Sequence, residues 1–132
     1  MGKITNQMIE KSFEIGKRFF KKSISLKEGT KVLTNSGMNE NSAVDYIYNY
    51  SNLIQGKSYT RTTNAYATEY YLQKIHEENG LVGLEKALLS LSQHIDYYED
   101  KSGASLKKIK NIYKYFLKLI DKKHERAIYP DE

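Results

Sequence analysis

The sequence predicts an all-α fold on three observations. Apolar residues recur at steps of three and four along most of the chain, the only proline stands at position 130, and glycine follows several of the periodic stretches. About six helices are expected, with a helix-turn-helix-like segment followed by an antiparallel helical hairpin. Thr5 suits the N-cap of a first helix reaching Lys22, whose stripe sets Met8, Ile15 and Phe19 beside Ile9, Phe13 and Phe20. Ser25 caps a short second helix, Leu26 to Ser36, which Gly37 stops in the left-handed conformation. Asn39 caps a third from Glu40 to Gln55, closed by Gly56. A fourth begins within Thr60–Thr63 and runs to Asn79, where Gly80 ends it. A fifth covers Leu81 to Glu99, and a sixth runs from Ser105 to Arg126. In the last two, Leu81, Leu84, Leu88, Leu91, Ile95 and Tyr98 face Leu106, Ile109, Tyr113, Phe116 and Ile120, the pattern of two helices meeting along a seam.

The 132 residues correspond to a single domain over 1–128 with a flexible tail at 129–132. A chain of this size buries roughly two-thirds of its unfolded surface, enough for a true core. It has no cysteine, which removes disulfide scaffolds and cysteine zinc sites and suits a reducing compartment. No apolar run approaches the span of a bilayer, and the N-terminus lacks a signal-type apolar region, so a cytoplasmic location is expected. The net charge of +5 is distributed unevenly. Residues 1–36 carry eight basic and three acidic side chains, residues 37–100 carry four and nine, and residues 101–132 carry nine and four. Basic flanks around an acidic middle favour a polyanionic partner, although lysine-rich helices are also simply well solvated. Twelve tyrosines and no tryptophan suit a small helical core and equally suit stacking on bases.

Catalytic patterns are missing. His76, His94 and His124 form no HExxH, HxH or His/Cys ligand set, so no metal or other cofactor is expected. His94, between Gln93 and Ile95, reads as a packed or hydrogen-bonded histidine. Glu99-Asp100-Lys101 and Asp121-Lys122-Lys123 match a bare acid-x-Lys spacing that nucleases present on strands, and no strand is expected here. Gly80 and Gly83 lack the Lys-Ser/Thr of a phosphate loop. These readings argue against an enzyme.

Residues 25–56 carry the most functional information. Two helices joined by a Gly37 turn match the helix-turn-helix pattern, with Val32, Met38, Ala43 and Tyr46 at interior positions. On the third helix Tyr46, Ile47, Tyr50, Leu53 and Ile54 form the apolar face. Asn41, Asp45, Tyr48, Asn49 and Asn52 form the other. Asparagine pairs bidentately with adenine and tyrosine contacts phosphate, so Asn41, Tyr48, Asn49 and Asn52 are the candidate groove contacts. Leu33 stands where the motif wants a small residue, and Asp45 would repel phosphate. Beyond the helix, Lys57, Tyr59 and Arg61 lie in a hydroxyl-rich strip ahead of a helix N-terminus, a candidate backbone contact. The same strip also reads as a capping loop with Tyr59 tucked into the core. Lys110, Lys114, Lys118 and Lys122 recur every four residues as a cationic ridge, the first three being further candidate contacts.

The string GMNENSAVDYIYNYSNLIQGKSYTRTTNAYATEYYLQKI, with GLEKALLSLSQHIDYYE after it, resembles a helical module at the N-terminal part of some bacterial and phage HNH-type restriction endonucleases. The resemblance covers residues 26–99 and implies DNA target recognition beside a separate catalytic domain. The matching positions are Asn39, Ser42, Tyr46, Tyr59, Arg61, Thr62, His94 and Tyr98. No HNH signature occurs among the 132 residues. The expectation is thus a non-catalytic module that binds duplex DNA. The alternative is a small phage or mobile-element protein whose acidic middle, Asp45 and Glu69 included, blocks a host defence nuclease. Self-association into a homodimer is compatible with either.

Overall fold

Short polar side chains decide where the helices begin. In the computed structural model, which describes residues 3–103 and 105–128 with side chains as far as Lys122, five helices follow one another. They are α1 (Asn6–Phe20), α2 (Leu26–Asn35), α3 (Glu40–Gln55), α4 (Ala65–Ser102) and α5 (Lys107–Ile128). Thr5 Oγ1 accepts from the Met8 N–H at 3.1 Å, and Ser25 and Glu28 form a reciprocal capping box with both contacts at 3.0 Å. Asn39 Oδ1 accepts from the N–H groups of Asn41 and Ser42, and Asn64 Oδ1 accepts from Ala67. Each such cap stabilises its helix by about 1 kcal/mol, because the first-turn N–H groups have no partner inside the helix. The caps at Thr5, Ser25 and Asn39 stand where the sequence places them.

Two expectations need correction. The fourth helix, expected from within 60–63 to 79, and the fifth, expected over 81–99, run on as the 38-residue α4. Gly80 bends it, with φ 70° and ψ −164°, a conformation closed to other residue types. The element is therefore two helical arms joined across a kink at Gly80, the position where the sequence ends the fourth helix. The cap of α4 is Asn64, not a residue within Thr60–Thr63, which leaves Gly56 to Asn64 as an extended connection between α3 and α4. The expected tail at 129–132 lies outside the described residues.

The main core gathers Ile9 and Phe13 from α1, Tyr46, Tyr50 and Leu53 from α3, a long stripe of α4, and Ile109, Phe116 and Ile120 from α5. Phe13 sits at its centre, met edge-on by Tyr50, Tyr70 and Tyr71 at centroid distances of 5.1, 5.9 and 5.1 Å. A second cluster, Ile15, Leu33, Met38, Ala43 and Ile47, joins α1, α2 and α3. The close approaches fall at glycines. A methyl group on Gly16 would meet Tyr50 Cβ at 2.8 Å, and one on Gly29 would meet Ile15 Cγ2 at 2.8 Å. Leu33 is fully buried, one turn beyond the tight approach at Gly29. Helix α4 is the spine against which α1, α3 and α5 pack; α2 rests on α1 and α3, and among the described residues α5 touches no helix but α4.

Candidate functional site

The connection between α3 and α4 has no secondary structure of its own, so its backbone groups need partners from elsewhere. One face of α4 supplies them. Gln93 Nε2 donates to the Gly56 carbonyl at 3.1 Å, Ser90 Oγ to that of Lys57 at 2.5 Å, and His94 Nδ1 to that of Tyr59 at 2.6 Å. A carbonyl oxygen only accepts, so Nδ1 carries the imidazole proton. Nε2 is then the acceptor for the Thr62 hydroxyl at 2.9 Å. His94 is completely buried, and its ring stacks on Tyr59 with centroids 4.1 Å apart and planes 10° from parallel. Burial lowers the His94 pKa, which its hydrogen bond to Tyr59 only partly offsets, so the ring is neutral at pH 7. Burial likewise pushes the Tyr59 phenol well above its ordinary value.

Held in this way, the connection faces the outer side of α3 and encloses a cleft of about 260 Å³. Its walls are Asp45, Tyr48, Asn49 and Asn52 from α3 and Ser58, Tyr59, Thr60 and Arg61 from the connection. Arg61 Nε lies 3.8 Å from Asp45 Oδ2, with the Arg61 side chain 75% exposed. The two residues form a ridge, and on its far side they share a wider cleft of about 660 Å³ with Lys3, Ser42, Tyr46 and Thr62. Hydroxyls and amides dominate these walls, with the Arg61–Asp45 pair shared by both clefts and the Lys3 ammonium added in the wider one. The arrangement suits a polar ligand carrying negative charge and offers no nucleophile–base pair.

Five of the ten candidate contacts meet at the small cleft: Tyr48, Asn49, Asn52, Tyr59 and Arg61. Two of them differ from expectation. Asn49 is 3% exposed and Tyr59 8%, so neither stands out on a surface. Asn49 follows Tyr48 by one residue, and the 100° step turns it toward the core, leaving Asn41, Asp45, Tyr48 and Asn52 as the outward row. Tyr59 is drawn inward by its stack on His94, which is the capping-loop reading of the strip. Asn41 and Lys57 are exposed but line neither cleft. Lys110 is not a free cation, because its Nζ lies 3.3 Å from both carboxylate oxygens of Glu99. Lys114 and Lys118 are exposed on α5. Of the positions carried by the resemblance, Asn39 caps α3, Tyr46 accepts from the Asn64 N–H, and Tyr98 lies tilted beside His94.

Sequence reading missed Lys3, Ser90 and Gln93. Nothing local marks Lys3 as a neighbour of Arg61, and Ser90 and Gln93 look like solvent-facing helix residues until the connection is laid over them. Among the described residues, no group of three acidic or histidine side chains could hold a metal, and no helix is long and apolar enough to cross a membrane. No protein-family model, curated protein or solved structure matches the chain.

Proposed function

We propose that the chain is a non-catalytic nucleic-acid-binding module in which α2 and α3 act as a helix-turn-helix and α3 lies toward the major groove. The observation that carries this reading is that exposed Tyr48 and half-buried Asn52 meet the clamped strip that bears Arg61, with exposed Asn41 two turns before Tyr48 on the same helix. Amide side chains on an exposed helix face read base edges, while a guanidinium on a fixed loop contacts phosphate. The α4–α5 pair serves as a supporting helical hairpin, and Lys114 and Lys118 add a sequence-independent attraction from α5. Asp45 steadies Arg61 and keeps the middle of the face from binding every polyanion equally. In the inhibitor reading the acidic middle would itself be the working surface. That reading has less support, since Asp45, Glu78 and Glu99 each already have a cation within 4.0 Å.

The test is duplex binding followed by fluorescence anisotropy over a salt series. Affinity should fall steeply with salt, at about 0.9 log units per log unit of salt for each phosphate neutralised. Arg61→Ala should weaken binding to all sequences alike and reduce that slope by about one. Asn52→Ala should narrow the preference among sequences by about 1–3 kcal/mol at one base pair. Failure to bind any duplex at low salt would overturn the proposal.

A further inference from the structure

Among the described residues, two buried side-chain atoms lack a hydrogen-bond partner, Thr30 Oγ1 and Asn49 Oδ1. An unpaired buried carbonyl is destabilising, and at the wall of a cleft it marks where a bound donor would be held. Asn49 is 97% buried by its 3% exposure, and it lines the small cleft between α3 and the strip. We infer that this cleft receives a single unstacked nucleobase, with the attached phosphate lying against Arg61. The inference rests on the nucleic-acid reading of this face.

Size and chemistry point the same way. At about 260 Å³ the cleft falls just below the roughly 300–1,000 Å³ of pockets for drug-sized ligands, the scale of one flat ring system. A primary amide offers an acceptor beside a donor, which complements the amino group and adjacent ring nitrogen of adenine. Asn52 supplies a second amide, and Ser58 and Thr60 supply hydroxyls for the remaining edge. Tyr48, 43% exposed and steadied edge-on by Phe19, brings an aromatic surface to the rim. Arg61 and its partner Asp45 border the wider cleft as well, where Lys3, Ser42 and Thr62 line space for sugar and phosphate, so that two cations there oppose one carboxylate. A base of this kind arises either from an unpaired position in a strand or from a free mononucleotide.

The full-length chain is titrated with adenosine monophosphate and with inorganic phosphate while the side-chain amide resonances are followed. In parallel, its affinity is measured for a duplex with one unpaired adenine and for the same duplex fully paired. The mononucleotide should shift the Asn49 and Asn52 amides and phosphate alone should not. The bulged duplex should bind about tenfold tighter than the paired one. Asn49→Leu should erase that ratio, leave paired-duplex affinity unchanged and unfold at the same or a higher urea concentration, because it removes an unpaired carbonyl. Should that variant not fold, Thr60→Ala carries the same comparison, since Thr60 lines this cleft and has no part in the paired-duplex contacts. Amide shifts without a bulge preference support the receptor and identify a free nucleotide as its source. Equal affinity for both duplexes with no amide shift overturns the receptor; the interface proposal then stands or falls on the paired duplex alone. A lower urea midpoint for Asn49→Leu with the bulge preference intact also overturns it, making Asn49 a packing residue.

Discussion

His94 and Asn49 are both polar, both buried and both within reach of the same strip, yet their hydrogen-bonding states are opposite. His94 uses both ring nitrogens, one donating to a carbonyl and one accepting from a hydroxyl. Protonation would give Nε2 a hydrogen that meets the Thr62 oxygen, and would place a charge in a fully buried position. The folded pKa is therefore depressed below the ordinary 6.5. Below pH 6.5 the unfolded chain takes up a proton that the folded chain refuses, so stability falls as pH drops from 6.5 toward the lower folded value and is fully present above it. Urea unfolding of the wild type between pH 7 and 5 should show this decline, and His94→Gln should flatten it whatever that variant's absolute stability. The His94 reading as a hydrogen-bonded core residue was available from its place between Gln93 and Ile95. Its partners were not, since Tyr59 and Thr62 are connected to it only through the fold.

At the scale of the element, two glycines in helical surroundings serve different ends. Gly16 has ordinary helical backbone, and what it lacks is space: an added methyl would meet Tyr50 Cβ at 2.8 Å and the Ile47 carbonyl oxygen at 3.1 Å. Gly16→Ala should lower stability by about 1–3 kcal/mol in urea unfolding despite alanine's better helix propensity, because α1 and α3 must separate. Gly80 has open space around its missing side chain and a backbone conformation that other residues reach only under strain. Gly80→Ala should also cost about 1–3 kcal/mol, through strain in the bend of α4 instead of through crowding. A crystal structure of each variant separates the causes: α1 moves from α3 in the first, and the two arms of α4 change their angle in the second. The breakpoint at Gly80 was legible in the sequence, since periodic segments flank it. Whether a glycine bends a helix or ends it depends on how the two arms pack, which no local pattern encodes.

Across the whole molecule, packing is uneven. Among the described residues α5 contacts α4 and no other helix, although its Ile109, Phe116 and Ile120 belong to the main core that α1, α3 and α4 share. Its attachment includes Ile109, Phe116 and Ile120, with Leu106, Ile112, Tyr113 and Leu119 packed beside them, the Glu99–Lys110 pair and the Leu106 N–H donated to Glu99. An element held from one side opens at lower free energy than the shared core, so hydrogen exchange should be faster in α5 than in the second arm of α4. Equal protection in the two would show that α5 and the spine open as one cooperative unit. The basic flanks lie on α1, α2 and α5, and the acidic middle is on α3 and α4. Internal ion pairs reduce that contrast: Lys17 of α1 meets Glu78 at 3.1 Å, and Lys110 of α5 meets Glu99 at 3.3 Å. The charge blocks seen along the chain therefore partly neutralise one another across the fold.

The sequence by itself determined the helical class, the caps at Thr5, Ser25 and Asn39, the closing glycine of α3 and the apolar stripes of α4 and α5. All of these are local: a cap acts within three residues, and a stripe follows from the helical repeat. Only the tertiary structure decided that Asn49 and Tyr59 turn inward, that Lys110 is paired, and that Asp45, Asn52 and Arg61 meet around one cleft. The clamp that makes the cleft joins residues 32, 33, 35 and 37 positions apart. Those contacts exist because a connection without secondary structure must find its hydrogen bonds elsewhere, and the face of α4 beneath it is where the packing of α3 brings them within reach.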